Sequence, residues 1–286
     1  MAAALLLSSG CLLRRQTRIP PSQLPPPARE ASLADLVAKL DASSQSVRTL
    51  TATVDLEPTA GSIYSGVIKE YHDVRGFILI EKPDMIRVLG QAPVLRTDIF
   101  DMVSNGEEFR LYIPSKQKFI VGKTGFRRPA KNSLENLRPQ HILEALLVPA
   151  LDTSHEKCFL EQAEEAGRRF YVVGIVESTE GGELRLKRMA WFDRANLELA
   201  RMQFYEAEGL YVEDVHYSGY QDSQGITYPS HIEVARPIED YRLTITILKA
   251  TFNQPIDAEK FVLTQPPGTQ LVQLAAGDQQ EKPSDQ

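Results

Sequence analysis

Five histidines and two cysteines are the side chains of this chain that could hold a metal ion or a nucleophile's proton. His72, His141, His155, His216 and His231 show no metal-ligand spacing. His155 and Cys158 stand as His-x-x-Cys, which on a helix would set both on one face, but no second pair accompanies them and metal binding is not expected. There is no nucleophile elbow, no phosphate-cradling glycine loop and no paired Asp-x-Asp. The sequence therefore favours a protein that is not an enzyme and takes no cofactor or metal; a catalytic set that meets only in three dimensions leaves no such mark. Two residues carry chemistry of another kind. Arg87 alternates with Met85 and Leu89 along one strand face, where a guanidinium turned inward needs several acceptors. The opposite register makes it an ordinary exposed strand arginine.

The second is Cys11. The opening MAAALLLSSGC is a short apolar run ending in small residues and a cysteine, the pattern of a lipoprotein signal peptide (1–10) cut before Cys11. It departs from that pattern in lacking a positive start and in having Ser8, with Leu7 one place earlier, where leucine is usual three residues before the cysteine. The alternative is a cleaved or disordered terminus with an ordinary cysteine. Residues 12–30 hold five prolines and four arginines, cannot pack a core, and read as a tether reaching about 50 to 60 Å. Arg14, Arg15 and Arg18 would lie against anionic lipid. With Cys11 acylated, Cys158 has no partner and no disulfide is expected.

These residues are positioned by a pattern that is mainly β. Five runs, 77–81, 85–90, 98–103, 109–113 and 118–121, are of strand length and rich in β-branched and aromatic residues. Lys82-Pro83-Asp84, Ser104-Asn105-Gly106-Glu107 and Pro114-Ser115-Lys116-Gln117 separate them, with Asn-Gly the strongest hairpin signal. Before them, Leu50, Ala52, Val54 and Leu56 alternate as a half-buried strand, and 63–71 reads as the next. After them come strands at 168–177, 184–193, 200–206, 211–220, 232–237 and 242–252. Several strands are apolar on both faces, which requires cover on both sides or a sheet wrapped around a cavity.

Two helices complete the pattern. Ser32 caps a helix over 33–42 whose Leu33, Leu36, Val37 and Leu40 make one apolar face. Pro139 opens another over 139–148, striped by Ile142, Leu143, Leu146 and Leu147 and stopped at Pro149. Each is either an ordinary core-capping helix or a lid. The expected organisation is one domain over 31–265 and a polar, disordered tail over 266–286. A net charge of −6 with scattered basic residues argues against nucleic acid, and no apolar run is long enough to span a membrane.

The wording of residues 77–121, KPDMIRVLG and SNGEEFRLYIP above all, and more loosely GITYPSHIEVARP and ATFNQPIDAEKFVL, resembles the LolA/LolB lipoprotein-carrier superfamily. The resemblance implies an α+β fold of mainly antiparallel strands, an unclosed β-barrel with a helical lid, which shields the acyl chains of lipoproteins or lipids. It implies a lid and cavity formed by Leu36, Leu40, Met85, Leu89, Leu143 and Leu146. It also implies that Arg87, standing after Lys82-Pro83, bonds the lid and holds it closed until cargo enters. Such a protein would be anchored through Cys11 in the cell envelope, at the outer membrane facing the periplasm since Leu12 is not aspartate, and would meet a carrier or envelope protein. The competing reading is an envelope lipoprotein that uses the same fold to dock proteins without carrying lipid.

Overall fold

The computed structural model describes residues 26–60, 69–70, 74–92, 94–124, 138–179, 181–206 and 209–274. Cys11 and the signal peptide expected before it, most of the expected tether, most of the strand expected at 63–71 and residues 125–137 lie outside them.

Helix α1 (Leu33–Ser46) opens as its sequence dictates. The Ser32 hydroxyl accepts from the Asp35 N–H at 3.2 Å while the Asp35 carboxylate accepts from the Ser32 N–H at 2.9 Å, a reciprocal capping box. It runs four residues past the expected end at 42, and Leu36, Leu40 and Ser44 form its buried ridge at a spacing of four. Strand β1 (Thr49–Ala60) follows, then β2 (Lys69–Glu70), β3 (Val74–Glu81), β4 (Met85–Gln91), β5 (Asp98–Ser104), β6 (Glu108–Ile113) and β7 (Lys118–Lys123). From β3 to β7 each strand pairs antiparallel with the next as a meander, β2 pairs with β1, and the Asn105 side chain caps the β5–β6 turn by accepting from the N–H groups of Glu107 and Glu108.

After α2 (Pro139–Leu146) a second meander runs through β8 (Glu156–Glu165), β9 (Arg168–Ser178), β10 (Leu184–Asp193), β11 (Leu199–Tyr205), β12 (Tyr211–Ser223), β13 (Ile226–Arg236) and β14 (Tyr241–Phe252). The two halves join where β1 pairs with β3 on one side and β14 on the other, so one sheet runs β15-β7-β6-β5-β4-β3-β1-β14-β13-β12-β11-β10-β9-β8, where β15 is Gln270–Leu274. The path ends at β8 and does not close. The concave face carries the main core: Leu50, Val54 and Leu56 of β1, Ile78 and Ile80 of β3, Ile86 and Val88 of β4, Val173 of β9 and Ile245 of β14, with Leu36, Ile142 and Leu143 pressed onto them from the helices.

Two expectations need correction. Residues 156–165 form β8, a strand missed because Glu156, Glu161, Glu164 and Glu165 mask its period; an edge strand with one pairing partner tolerates that charge. Cys158 therefore sits on a strand and His155 before it, and the one-face helical spacing does not exist. Nor does order end at 265. Residues 270–274 form β15, which adds to β7 in parallel, Val272 opposite Ile120. Its short QLVQL run was overlooked between polar neighbours; 275–286 lie outside the described residues.

The segment that leads to β15 answers the question of the doubly apolar strands. From Asn253 it crosses the convex face as a belt. Asn253 donates to the Thr49 carbonyl at 2.9 Å, the Lys260 and Leu263 carbonyls accept from Arg87 and Arg110, and the Gln270 N–H reaches the Gln117 carbonyl at 2.7 Å. Leu263 is buried there against Val103 and Phe119 in a small second core. Strands β4–β7 are thus covered on both sides, by helices within and by the belt without.

Candidate functional site

The helices do not fill the concave face. Three neighbouring pockets, each sharing lining residues with the next, follow the seam between them and the strands. The first is an open cleft of about 590 Å³ bounded by Ser44 of α1, the Lys82-Pro83-Asp84 turn, Leu143 and Leu147 on and after α2, Val148, and Phe204 of β11. A narrow neck of about 60 Å³ continues from Leu147 and Val148 past Leu146, Tyr217 and Phe252. Beside it, sharing Leu199, Tyr220 and Ile226, lies a third space of about 270 Å³ under Leu40, lined also by Phe192. Inward positions alternate along each strand and supply apolar wall, Tyr217 on β12 and Phe192 on β10 among them.

Polar ties hold the helices over this passage. The Lys82 ammonium donates to the Ser44 carbonyl near the end of α1, and desolvation there pulls its pKa down. His141 of α2 bonds the Tyr241 hydroxyl at 3.0 Å. Behind α2 the Glu213 carboxylate meets Arg236 at 2.6 Å, and Arg236 also holds Glu239 at 2.8 Å. Burial pushes Glu213 up to about 8 against the pull of Arg236, and the nearby Glu144 charge on α2 pushes the same way. At the cleft floor Arg188 pairs with Glu156 at 2.7 Å and donates to the Pro149 and Ala150 carbonyls, each at 3.4 Å, so β10 grips the chain just after α2. Lys187 adds a contact to Glu156 at 3.2 Å.

Of the residues singled out from the sequence, Leu36, Leu40 and Leu143 are buried between helix and sheet, and Leu146 is half-buried beside the neck. Met85, Arg87 and Leu89 are on the other side. In β4 the buried residues are Ile86 and Val88, which face the helices, and the alternation turns 85, 87 and 89 to the convex face. There Arg87 holds Asp101 through two hydrogen bonds, 3.0 and 2.7 Å, and donates to the Lys260 carbonyl at 2.8 Å. The inference that this arginine needs several acceptors holds; the partner is the outer belt and not the lid. One register step decides between them.

Sequence reasoning missed Arg188, Lys82 and Tyr217. The signal for Arg188 was present, since it shares an inward face with Ala190 and Phe192, but a register shift between Leu186 and Arg188 breaks the simple alternation. It also missed Val94 and Leu95, which are 90% and 78% exposed at the β4–β5 tip. Among the described residues no group of three or more His, Cys, Asp or Glu could hold a metal ion, and no helix is long and apolar enough to cross a membrane.

No protein-family model matches this chain, and no curated protein matches it. Solved structures do. A LolA superfamily protein from Nitrosomonas europaea superposes with a TM-score of 0.51 at 12% identity, covering 82% of this chain and 99% of its own. A DUF1329 family protein from Desulfovibrio piger gives a TM-score of 0.54 at 14% identity, covering 80% of this chain and 95% of its own. The fold is the LolA-like one, an unclosed antiparallel barrel with helices over its open face.

Proposed function

We propose that this chain is a carrier or acceptor of acyl chains, from lipoproteins or from lipids, held in the cell envelope by a lipid on Cys11. The observation that carries the proposal is the row of three adjacent, largely apolar pockets between α1, α2 and the concave sheet. Each methylene taken from water is worth about 0.8 kcal/mol, so an acyl chain crosses an aqueous compartment only in such a shelter. The helices are fastened at their edges by polar ties, Lys82 to Ser44, His141 to Tyr241 and Arg188 to the chain after α2, and opening the lid would break these and lift Leu36, Ile142 and Leu143 off the sheet. The reading calls for no catalysis and no cofactor. A Cys11 anchor with the tether behind it puts the barrel on an outer membrane, facing the periplasm, where a delivering carrier or an envelope protein meets it.

Native mass spectrometry of the delipidated domain is the test. Uptake of one acylated ligand per chain, displaced by a second, is the expected result. A folded domain that takes up none is a protein-docking module, and the carrier reading falls.

A further inference from the structure

The neck of the passage holds one polar group with nothing to bond. Tyr217 is buried on the inward face of β12, opposite Ile232 in the register, and its hydroxyl has no hydrogen-bond partner among the described residues. The adjacent Tyr220 differs: its hydroxyl donates to the Leu199 carbonyl at 2.7 Å. A buried hydroxyl left unbonded costs about 1 to 3 kcal/mol, and phenylalanine fills nearly the same space without that cost. Leu146, Leu147, Val148 and Phe252 line the same neck together with the hydroxyls of Ser43, Ser46, Thr227 and Tyr228, and none of these bonds the Tyr217 hydroxyl.

From this we infer that the Tyr217 hydroxyl is a recognition point, donating a hydrogen bond to the carbonyl oxygen of an acyl ester or amide whose hydrocarbon lies in the passage. The inference rests on the carrier reading and narrows it, because an aliphatic chain alone gives the hydroxyl no acceptor. The position suits the task. The neck shares Leu147 and Val148 with the wide cleft and Leu199, Tyr220 and Ile226 with the inner pocket, so a chain threaded from one to the other would set its carbonyl at the constriction while its head group remains in the cleft. Lipoprotein acyl groups and glycerolipids share this carbonyl chemistry.

The experiment compares a diacyl glycerophospholipid with its dialkyl ether analogue, identical except for the missing carbonyls, on the whole folded domain of wild type and Tyr217→Phe. Wild type is expected to hold the ester about fivefold more tightly than the ether, the size of one neutral hydrogen bond. Tyr217→Phe should lose that preference, keep the ether affinity, and melt at the same temperature or higher without ligand. A triacylated lipopeptide run beside the phospholipid tells which source of carbonyl is preferred. Equal ester and ether binding in wild type, or a preference unchanged in Tyr217→Phe, would overturn the inference and leave the carrier reading standing, the hydroxyl then being met by trapped water. Failure of every ligand to bind either protein overturns both.

Discussion

Arg87 and Asp101 lie diagonally across adjacent strands of the convex surface, Arg87 opposite Val103 and Asp101 opposite Leu89, and are joined by two parallel hydrogen bonds, 3.0 and 2.7 Å, while the third arm of the guanidinium holds the Lys260 carbonyl. Pair and belt thus form one unit. Asp101 is nearly buried, so removal of its partner leaves a carboxylate desolvated and unpaired.

Arg87→Leu is accordingly expected to cost about 1 to 3 kcal/mol and to free the belt. Limited proteolysis should cut between residues 253 and 270 faster than in wild type. Acyl-ligand off-rates should stay unchanged, since Arg87 is on the face away from both helices. A changed off-rate with an intact belt would restore the latch role that the family resemblance implies.

Glu213 makes stability depend on pH. Its folded value, near 8, is above the ordinary 4.5 because burial and the Glu144 charge outweigh Arg236. Between those limits the unfolded chain ionises while the folded one keeps its proton, so stability is complete below about 4.5 and falls as pH rises towards about 8. One proton sets the slope at no more than about 1.4 kcal/mol per pH unit. Glu213→Gln should flatten that slope and exceed wild type in melting temperature at pH 8 and above. Denaturant melts of both proteins from pH 5 to 9 decide it; parallel curves reject the assignment.

What the sequence disclosed follows from where each signal lies. Alternation in β1, the Asn-Gly turn and the Ser32 capping box are local, and each reappears at its place. The unclosed sheet with two helices was available through the resemblance at 77–121. Less local facts did not show. Residues 82 and 188 earn their roles from partners at 44 and 149–150, which no spacing reveals. Glutamates hid β8, and Arg87, Met85 and Leu89 changed faces by one step of register. Tyr217 reads as one more strand aromatic until the neck around it is seen.

The anchor is tested at Cys11. If the proposed lipid on Cys11 is the attachment, Cys11→Ala should move the protein from the membrane to the soluble fraction. Fractionation at high salt separates lipid anchoring from attraction through Arg14, Arg15 and Arg18. Persistence on membranes at high salt would put the attachment elsewhere, with the exposed Val94–Leu95 tip the first place to look.

Leu146 tests the passage from the helix side. It is half-buried at the last turn of α2 and lines the neck beside Tyr217, while Ile142 and Leu143 do most of the packing that holds α2 on the sheet. A charge at 146 can turn its carboxylate towards the opening, so Leu146→Glu should cost less stability than the 2 to 5 kcal/mol or so of truncating a fully buried leucine such as Leu143. It should weaken acyl binding far more than that, since the carboxylate then stands in the path of the chain. A pair of measurements reads this cleanly: melting temperature, and affinity for a fluorescent acyl probe, in Leu146→Glu and in Leu143→Ala. If the more stable Leu146→Glu is also the weaker binder, the neck carries ligand. Affinity that follows stability alone in the two variants would make α2 a plain packing helix and remove it from the binding path.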